Sequence, residues 1–374
     1  MRKTTLSDIA RKLGISSSSV SKALSGGTGG ATTRISPDTM RRIQDVAREM
    51  NYRGNSSARA MRSNRFQNIG FFDTRKNTTD YSFTESILSG LSECAERTHQ
   101  NIVLIRVPRQ DRDLVAIPRA LREEGLDALI IANTGIIGAA FQEAVEASNI
   151  PVIYLNEKRP TNAVYVNDVV SGRIATAHLI ERGFRRIAML VPFTSGGHYG
   201  TVDRITGYLG IMREAGREPL LKTFTRSTWR YDTREWLTDP AQRPDAIFCA
   251  NDHVALMLQR ILYDLRIHIP GDIAIAGCDS EQLALHSPVP LTSVEIPFRR
   301  MGFRAMEMAL KCVNQKTRRA IPSVIFEPRL IVRESTINCA GLSAHPRFHL
   351  HEDEPLDVDP LTIKTSPPDR DPAQ

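Results

Sequence analysis

The run TTLSDIARKLGISSSSVSKAL, residues 4–24, constrains this chain more than any other stretch. Leu6, Ile9, Ala10 and Leu13 fall at i, i+3, i+4 and i+7, which puts four apolar residues on one face of a helix. Thr5 stands where a helix cap belongs, and Asp8 at the third helical position favours the positive end of the helix. Gly14 stops that helix and Ile15 opens a short turn. Ser16 can then cap a second helix, with Val20, Ala23 and Leu24 facing inward. Two short helices joined by a glycine-containing turn make a helix-turn-helix.

The outer face of the second helix holds Ser17, Ser18, Ser21 and Lys22, short polar or cationic residues with no acid among them. A helix that reads duplex DNA needs donors that reach base edges or phosphates without repelling the backbone. The alternative is a small solvated hairpin, and the distribution of charge weighs against it. The chain carries a net +7, yet residues 1–65 hold 13 Lys/Arg against 4 Asp/Glu, a net of +9, which leaves −2 for the remainder. A basic head on a near-neutral body points to a polyanion gripped by the head alone. After the glycine-rich SGGTGGATTR, Ser36 and Pro37 start a third helix with Met40, Ile43, Val46, Ala47 and Met50 inward.

The segment from Thr5 to Leu24 resembles, without a gap, the DNA-binding headpiece of the lactose-repressor (LacI/GalR) family. It departs from that pattern at Ser19, Lys22 and Ser25, where the family has threonine, arginine and asparagine. The resemblance implies that Ser17, Ser18 and Lys22 read bases in the major groove. Lysine reaches guanine without arginine's rigid fork, and two serines discriminate weakly, so water or DNA shape would carry part of the specificity. The full set expected to contact DNA is Thr5, Ser16, Ser17, Ser18, Ser21 and Lys22, with Asn55, Ala58 and Met61 from a hinge helix. In the family that hinge enters the minor groove with a leucine wedge, and Met61 is the matching residue. Gly54 replaces the usual proline and should loosen the hinge. A plain basic linker with Arg59, Arg62 and Arg65 is the competing reading.

From Asn68 onward the pattern alternates strand and helix. Strand-like runs are Ile69–Phe72, Ile102–Val107, Ala128–Ala132, Val152–Leu155, Ile187–Val191, Ala246–Ala250 and Ile273–Gly277. Helical patterns between them include 83–98, 139–148, 169–182, 204–215 and 253–265. Such alternation predicts parallel sheets in two doubly wound lobes. The runs HLIERGFRRIAML, DRITGYLGIMREAG, PDAIFCANDHVALMLQRIL, IPGDIAIAGCDS, PLTSVEIPFRRMGFRAMEMAL and FEPRLIVRES resemble, in order, the family's periplasmic-binding-protein-like effector domain. The expected fold class is α + α/β: a three-helix helix-turn-helix headpiece with hinge helix, then a two-lobed domain of parallel doubly wound sheets. The expected boundaries are 1–54 for the headpiece, 55–65 for the hinge and 66–335 for the effector and dimerisation domain. Within it, 66–167 with 297–325 would form one lobe and 168–296 with 326–335 the other. Residues 336–374 hold 3 Lys/Arg and 7 Asp/Glu with many prolines, and read as a disordered tail. His345, His349 and His351 with Glu352 and Asp353 are taken as part of that tail rather than a metal site.

Ligands of doubly wound sheets sit at the carboxyl ends of strands. The polar residues there are Asp73, Arg75, Asn133, Asn156, Glu157, Asn251, Asp252 and Asp279, with Arg204 opening a later helix. Carboxylates, amides and arginine suit vicinal hydroxyls. The resemblance maps effector contacts onto Arg204, Asn251, Asp279 and Asn156, and puts Trp229 where some sugar-binding members stack an indole; Asp73 completes the expected set. Rival roles stay open: helix caps for Asp252 and Asp279, a structural ion pair for Arg204, a core position for Trp229. A carbohydrate effector is expected, with a purine or other small polar metabolite as the alternative.

The five cysteines are scattered without CxxC spacing, which predicts reduced thiols in a cytoplasmic protein. No signal segment or membrane span is evident, and neither cofactor nor metal is expected. The expected function is a DNA-binding regulator, a dimer on a near-palindromic operator, controlled by a small molecule. A sugar-modifying enzyme with a nucleic-acid module is disfavoured because no nucleophile motif, phosphate loop or metal spacing stands out. A transport solute-binding protein is disfavoured by the basic head.

Overall fold

The computed structural model describes residues 4–24, 35–54, 65–73, 82–106, 125–132, 139–192, 198–225, 227–280, 282–315 and 319–337. The expectations for the glycine-rich insertion, for Asn55, Ala58, Met61, Arg75 and Asn133, and for the tail from 338 lie outside the described residues.

Residues up to Phe66 form one compact unit and those from Gln67 a second. The first holds α1 (Leu6–Leu13), α2 (Ser17–Leu24) and α3 (Pro37–Glu49). Thr5 and Asp8 cap α1 reciprocally, and Gly14 ends it at φ 66°, a left-handed conformation that glycine adopts without strain. Ile9, Val20 and Ile43, one from each helix, are fully buried together, with Leu6, Leu13, Leu24, Met40, Val46 and Met50 packed around them. These are the residues whose spacing marked them as inward. Thr4 ties the chain start to the end of α3 by donating its hydroxyl to the Met50 carbonyl at 2.8 Å.

Among the described residues the second unit contains two six-stranded sheets. The first comprises β1 (Asn68–Asp73), β2 (Asn101–Arg106), β3 (Ala128–Ala132), β4 (Val152–Leu155), β5 (Ala163–Val166) and β11 (Val324–Phe326), in the order β11-β5-β4-β3-β1-β2. The second comprises β6 (Ile187–Pro192), β7 (Leu220–Phe224), β8 (Ala246–Cys249), β9 (Ala274–Asp279), β10 (Thr292–Glu295) and β12 (Arg329–Ile331), in the order β12-β10-β9-β8-β6-β7. All pairings are parallel except β10 with β12, so the expectation of parallel sheets needs one correction: β12 runs antiparallel along the second sheet's edge. Only Glu327 and Pro328 separate β11 in the first sheet from β12 in the second, so the chain steps directly from one sheet to the other there.

Helices α4 (Ser82–Arg97) and α11 (Phe298–Asn314) pack together over one face of the first sheet, and α5 (Ala139–Ala147) lies on the other. On the second sheet α6 (Asp168–Glu181) and α7 (Tyr199–Glu214) cover one face, α8 (Trp229–Thr238) and α9 (Asp252–Asp264) the other. Strand residues alternate between these layers, as the two-residue pleat demands: Ile69 and Phe71 face α4 and α11 while Phe72 faces α5. A short α10 (Gln282–Leu285) follows β9. The chain passes between sheets three times, after β5, after β10 and after β11. In each sheet the strand order reverses beside the first strand, between β1 and β3 and between β6 and β8, and such reversals open a crevice at the carboxyl ends.

Candidate functional site

On α2, Ser17, Ser18 and Lys22 are exposed and Ser21 is half-buried. Ser16 is engaged locally: its hydroxyl lies 2.9 Å from those of both Ser18 and Ser19 and accepts the Ser19 N–H at 3.2 Å. Thr5 donates its N–H and hydroxyl to the Asp8 carboxylate at 2.9 and 2.7 Å. Both residues therefore brace the motif. No acid lies on α2, and the acids of α3 are paired, Asp38 with Arg41, Asp45 with Arg48 and Glu49 with Lys12. The outer face of α2 can thus approach a polyanion without local repulsion.

In the second unit the reversal between β6 and β8 gathers a second set. Arg204, one turn into α7, is 11 % exposed; its Nε donates to Asp168 at 2.7 Å and Nη1 to the Ala250 carbonyl at 2.7 Å. Its Nη2 lies 3.7 Å from Asp279, whose side chain stays 25 % exposed at the end of β9. Burial works against the guanidinium charge, but the neighbouring Asp168 and Asp279 outweigh it and hold Arg204 protonated. Gly200 makes the Asp168 contact possible, since a Cβ there would sit 2.6 Å from the Asp168 carboxylate.

Asn251 and Asp252 divide their work. Asn251 caps α9 by accepting the Val254 N–H at 2.9 Å. The cap role open to Asp252 is therefore filled by its neighbour; Asp252 is 2 % exposed and instead takes the Ser293 hydroxyl at 2.6 Å and the Ser280 N–H at 2.7 Å.

Asn156, in a left-handed conformation after β4, joins the sheets. His198 accepts the Gly200 N–H on Nδ1, which leaves the proton on Nε2 to donate to the Asn156 carbonyl at 2.9 Å. The Tyr199 hydroxyl donates to Asn156 Oδ1 and accepts the Val166 N–H, both at 3.3 Å. Asp73 is buried at the end of β1, and Glu157 pairs with Arg159.

Trp229 does not join this group. It is 6 % exposed, its ring 4.8 Å from Phe224, within the cluster on the α8–α9 face that includes Trp236, Leu237 and Leu258. That face is opposite the one bearing α7, and the indole packs there against Phe224. Sequence reasoning missed Asp168, His198, Tyr199, Ser280, Ser293 and Arg333. A carboxylate in the first turn of a helix was the only local signal for Asp168. Among the described residues no group of three or more His, Cys, Asp or Glu is placed to hold a metal ion, and no helix is long and apolar enough to cross a membrane.

The profile of bacterial regulatory proteins of the lacI family matches residues 5–55, and that of the periplasmic binding protein-like domain matches 176–336. The HTH-type transcriptional repressor PurR of Vibrio atlanticus is 27 % identical over 325 residues, covering 83 % of this chain and 92 % of that protein. The lac repressor dimer, bound to operator and the anti-inducer ONPF, superposes with a TM-score of 0.74 at 20 % identity, over 90 % of this chain and all of that one. The transcriptional regulator CelR in its cellobiose complex superposes with a TM-score of 0.64 at 23 % identity, over 89 % of this chain and all of that one.

Proposed function

Because the chain belongs to the lacI family of bacterial regulatory proteins, a family of DNA-binding transcriptional regulators, we propose that it is a cytoplasmic repressor released from or recruited to DNA by a small molecule. The headpiece, residues 1–54, reads the major groove with Ser17, Ser18 and Lys22, braced by Thr5 and Ser16 and flanked by Ser21. Residues 55–65 form the hinge, with Asn55, Ala58 and Met61 in the minor groove, and residues 66–335 bind effector and dimerise. The dimer meets a near-palindromic operator, one headpiece per half-site. The relative bound to operator as a dimer supports this reading.

One observation carries the effector site: buried Arg204, clamped by Asp168 and facing partly exposed Asp279, at the strand-order reversal of the second sheet. Asn251 and Asn156 flank it and Asp73 ends the first sheet's reversal strand; Trp229 is left out of the ligand set. Asp168, Asp252 and Asp279 outnumber Arg204 and Arg333, which suits an uncharged polyhydroxylated ligand over a phosphorylated one. A carbohydrate is therefore preferred, and the relative solved with cellobiose agrees in kind.

Selection of duplexes from a random pool by the full chain, followed by thermal-shift screening of neutral sugars and purines, supplies the two ligands. The screened effector should change affinity for the selected duplex. Asp279→Asn should weaken effector binding at least about tenfold, the scale of a hydrogen bond to a charged group, while leaving DNA affinity unchanged. An effector response equal to the wild type would place the ligand elsewhere. Absence of any duplex preference over random competitor would reject the regulator itself.

A further inference from the structure

Two consecutive residues at the carboxyl end of β9 take backbone conformations that side chains disfavour, Asp279 at φ 121° and Ser280 at φ 50°. Such conformations persist only where the surroundings hold them. The principal holder is Asp252, the first residue of α9. Its Oδ2 accepts the Ser280 N–H at 2.7 Å, an amide shared with Ser293 Oγ at 3.0 Å, and its Oδ1 accepts the Ser293 hydroxyl at 2.6 Å. The strand makes room for this carboxylate, since a Cβ at Gly277 would lie 2.2 Å from Asp252 Oδ1. From the other side Arg333, just past β12, donates Nη2 to the Ser280 hydroxyl at 3.1 Å and Nη1 to the Leu291 carbonyl at 2.7 Å. The start of α9, β10 and the segment past β12 thus converge on a two-residue turn, and that turn carries the partly exposed carboxylate that lies 3.7 Å from Arg204.

We propose that Asp252 is a positioning residue of the effector cleft, fixing the Asp279–Ser280 turn so that the Asp279 carboxylate is presented to ligand beside Arg204. This rests on the cleft being the effector site. Asp252 touches no ligand in this role; it acts through the Ser280 amide, by a bond strengthened because the acceptor is charged. The groups facing it are Arg333 and Arg204, the thiols of Cys249 and Cys278, and the hydroxyl of Ser293. Burial pushes its pKa up to about 6, against the lowering pull of the Ser293 and Ser280 hydrogen bonds and of Arg333 and Arg204. Protonation turns one acceptor oxygen into a donor, so its hold on the turn weakens as pH falls through about 6.

Hydrogen exchange of the ligand-free full chain tests this. In Asp252→Asn the Ser280 amide should exchange at least about tenfold faster, while buried amides of β8 keep their wild-type rates. In the wild type, Ser280 protection, corrected for intrinsic exchange, should drop as pH falls through about 6, and the variant should show no such step. The wild-type profile needs no substitution, so a folding failure of Asp252→Asn does not remove the test. Unchanged Ser280 exchange in a folded variant, or a flat wild-type profile, would overturn the inference. Neither measurement involves ligand, so its failure is separate from that of the Asp279→Asn titration.

Discussion

Lys22 is the one cation of α2, set on its exposed face in the last turn beside three serines. An ammonium on a flexible stem acts as a point charge, whereas the arginine usual in the family forks onto a guanine edge. Two outcomes separate its uses. If Lys22 neutralises a phosphate, Lys22→Ala weakens all duplexes alike and lowers the slope of log affinity against log salt by about one. If it reads a base, which is the outcome expected here, the loss is confined to the selected duplex, about 1–3 kcal/mol, with effector binding intact. Equal loss of DNA and effector binding would signal a folding defect and remove Lys22 from the interface. Residue roles of this kind are legible in sequence when one helix turn dictates them, as with the Thr5–Asp8 cap and the buried Ile9 and Val20. They fade when the partner is remote in sequence. Asn251 and Asp252 are adjacent letters, yet one caps its own helix and the other clamps Ser280 and Ser293 from different segments. Trp229 shows the same limit, because an indole near a strand end serves a core or a ligand equally well until the sheet face beneath it is known.

At the level of elements, α6 and α7 approach backbone to backbone, and this contact sets where Arg204 stands. A Cβ at Gly172 would lie 2.1 Å from the Arg204 carbonyl, and one at Gly207 would lie 2.1 Å from the Val169 carbonyl. Helix interiors disfavour glycine by about 1 kcal/mol relative to alanine, so Gly207→Ala gains propensity while forcing the helices apart. Overpacking wins: a net loss of about 1–3 kcal/mol is expected, read as a lower thermal midpoint. Gly210→Ala is the control, since its Cβ would meet only the end of the Arg173 side chain at 3.4 Å, and it should match or exceed the wild type. Equal midpoints for the two variants would contradict the close-packing argument. The sequence pattern located the long helices and buried strands because their periodicity is undiluted. It passed over β5, four residues long, and β7, whose exposed and buried residues alternate at a sheet edge. It passed over β10, β11 and β12 as well, because runs of three or four residues carry neither a clear period nor a mark of pairing direction.

For the whole molecule, a basic headpiece and a cleft built from a distant part of the chain must bias one equilibrium, so the decisive test is thermodynamic. Within the second unit, three chain crossings and the ties from His198 and Tyr199 to Asn156, with Lys158 to Asp203 at 2.7 Å, hold the two sheets together on one side. A ligand held on Arg204 and Asp279 that favours one arrangement of the sheets can shift DNA affinity only by its difference in affinity between the arrangements. Linkage makes that difference reciprocal. If saturating effector changes affinity for the selected duplex by some factor, commonly about 5–150-fold, saturating duplex must change effector affinity by the same factor. Calorimetric titration of effector into free and duplex-saturated protein, paired with DNA titrations at rising effector, measures both sides. Remote coupling requires the DNA affinity to level off once the cleft is full. An effector that competed directly for the DNA-binding face would instead weaken DNA binding without limit as its concentration rose. A plateau with matching factors is the expected result, and an unbounded decline would mean that the small molecule acts at the headpiece and the cleft has another use.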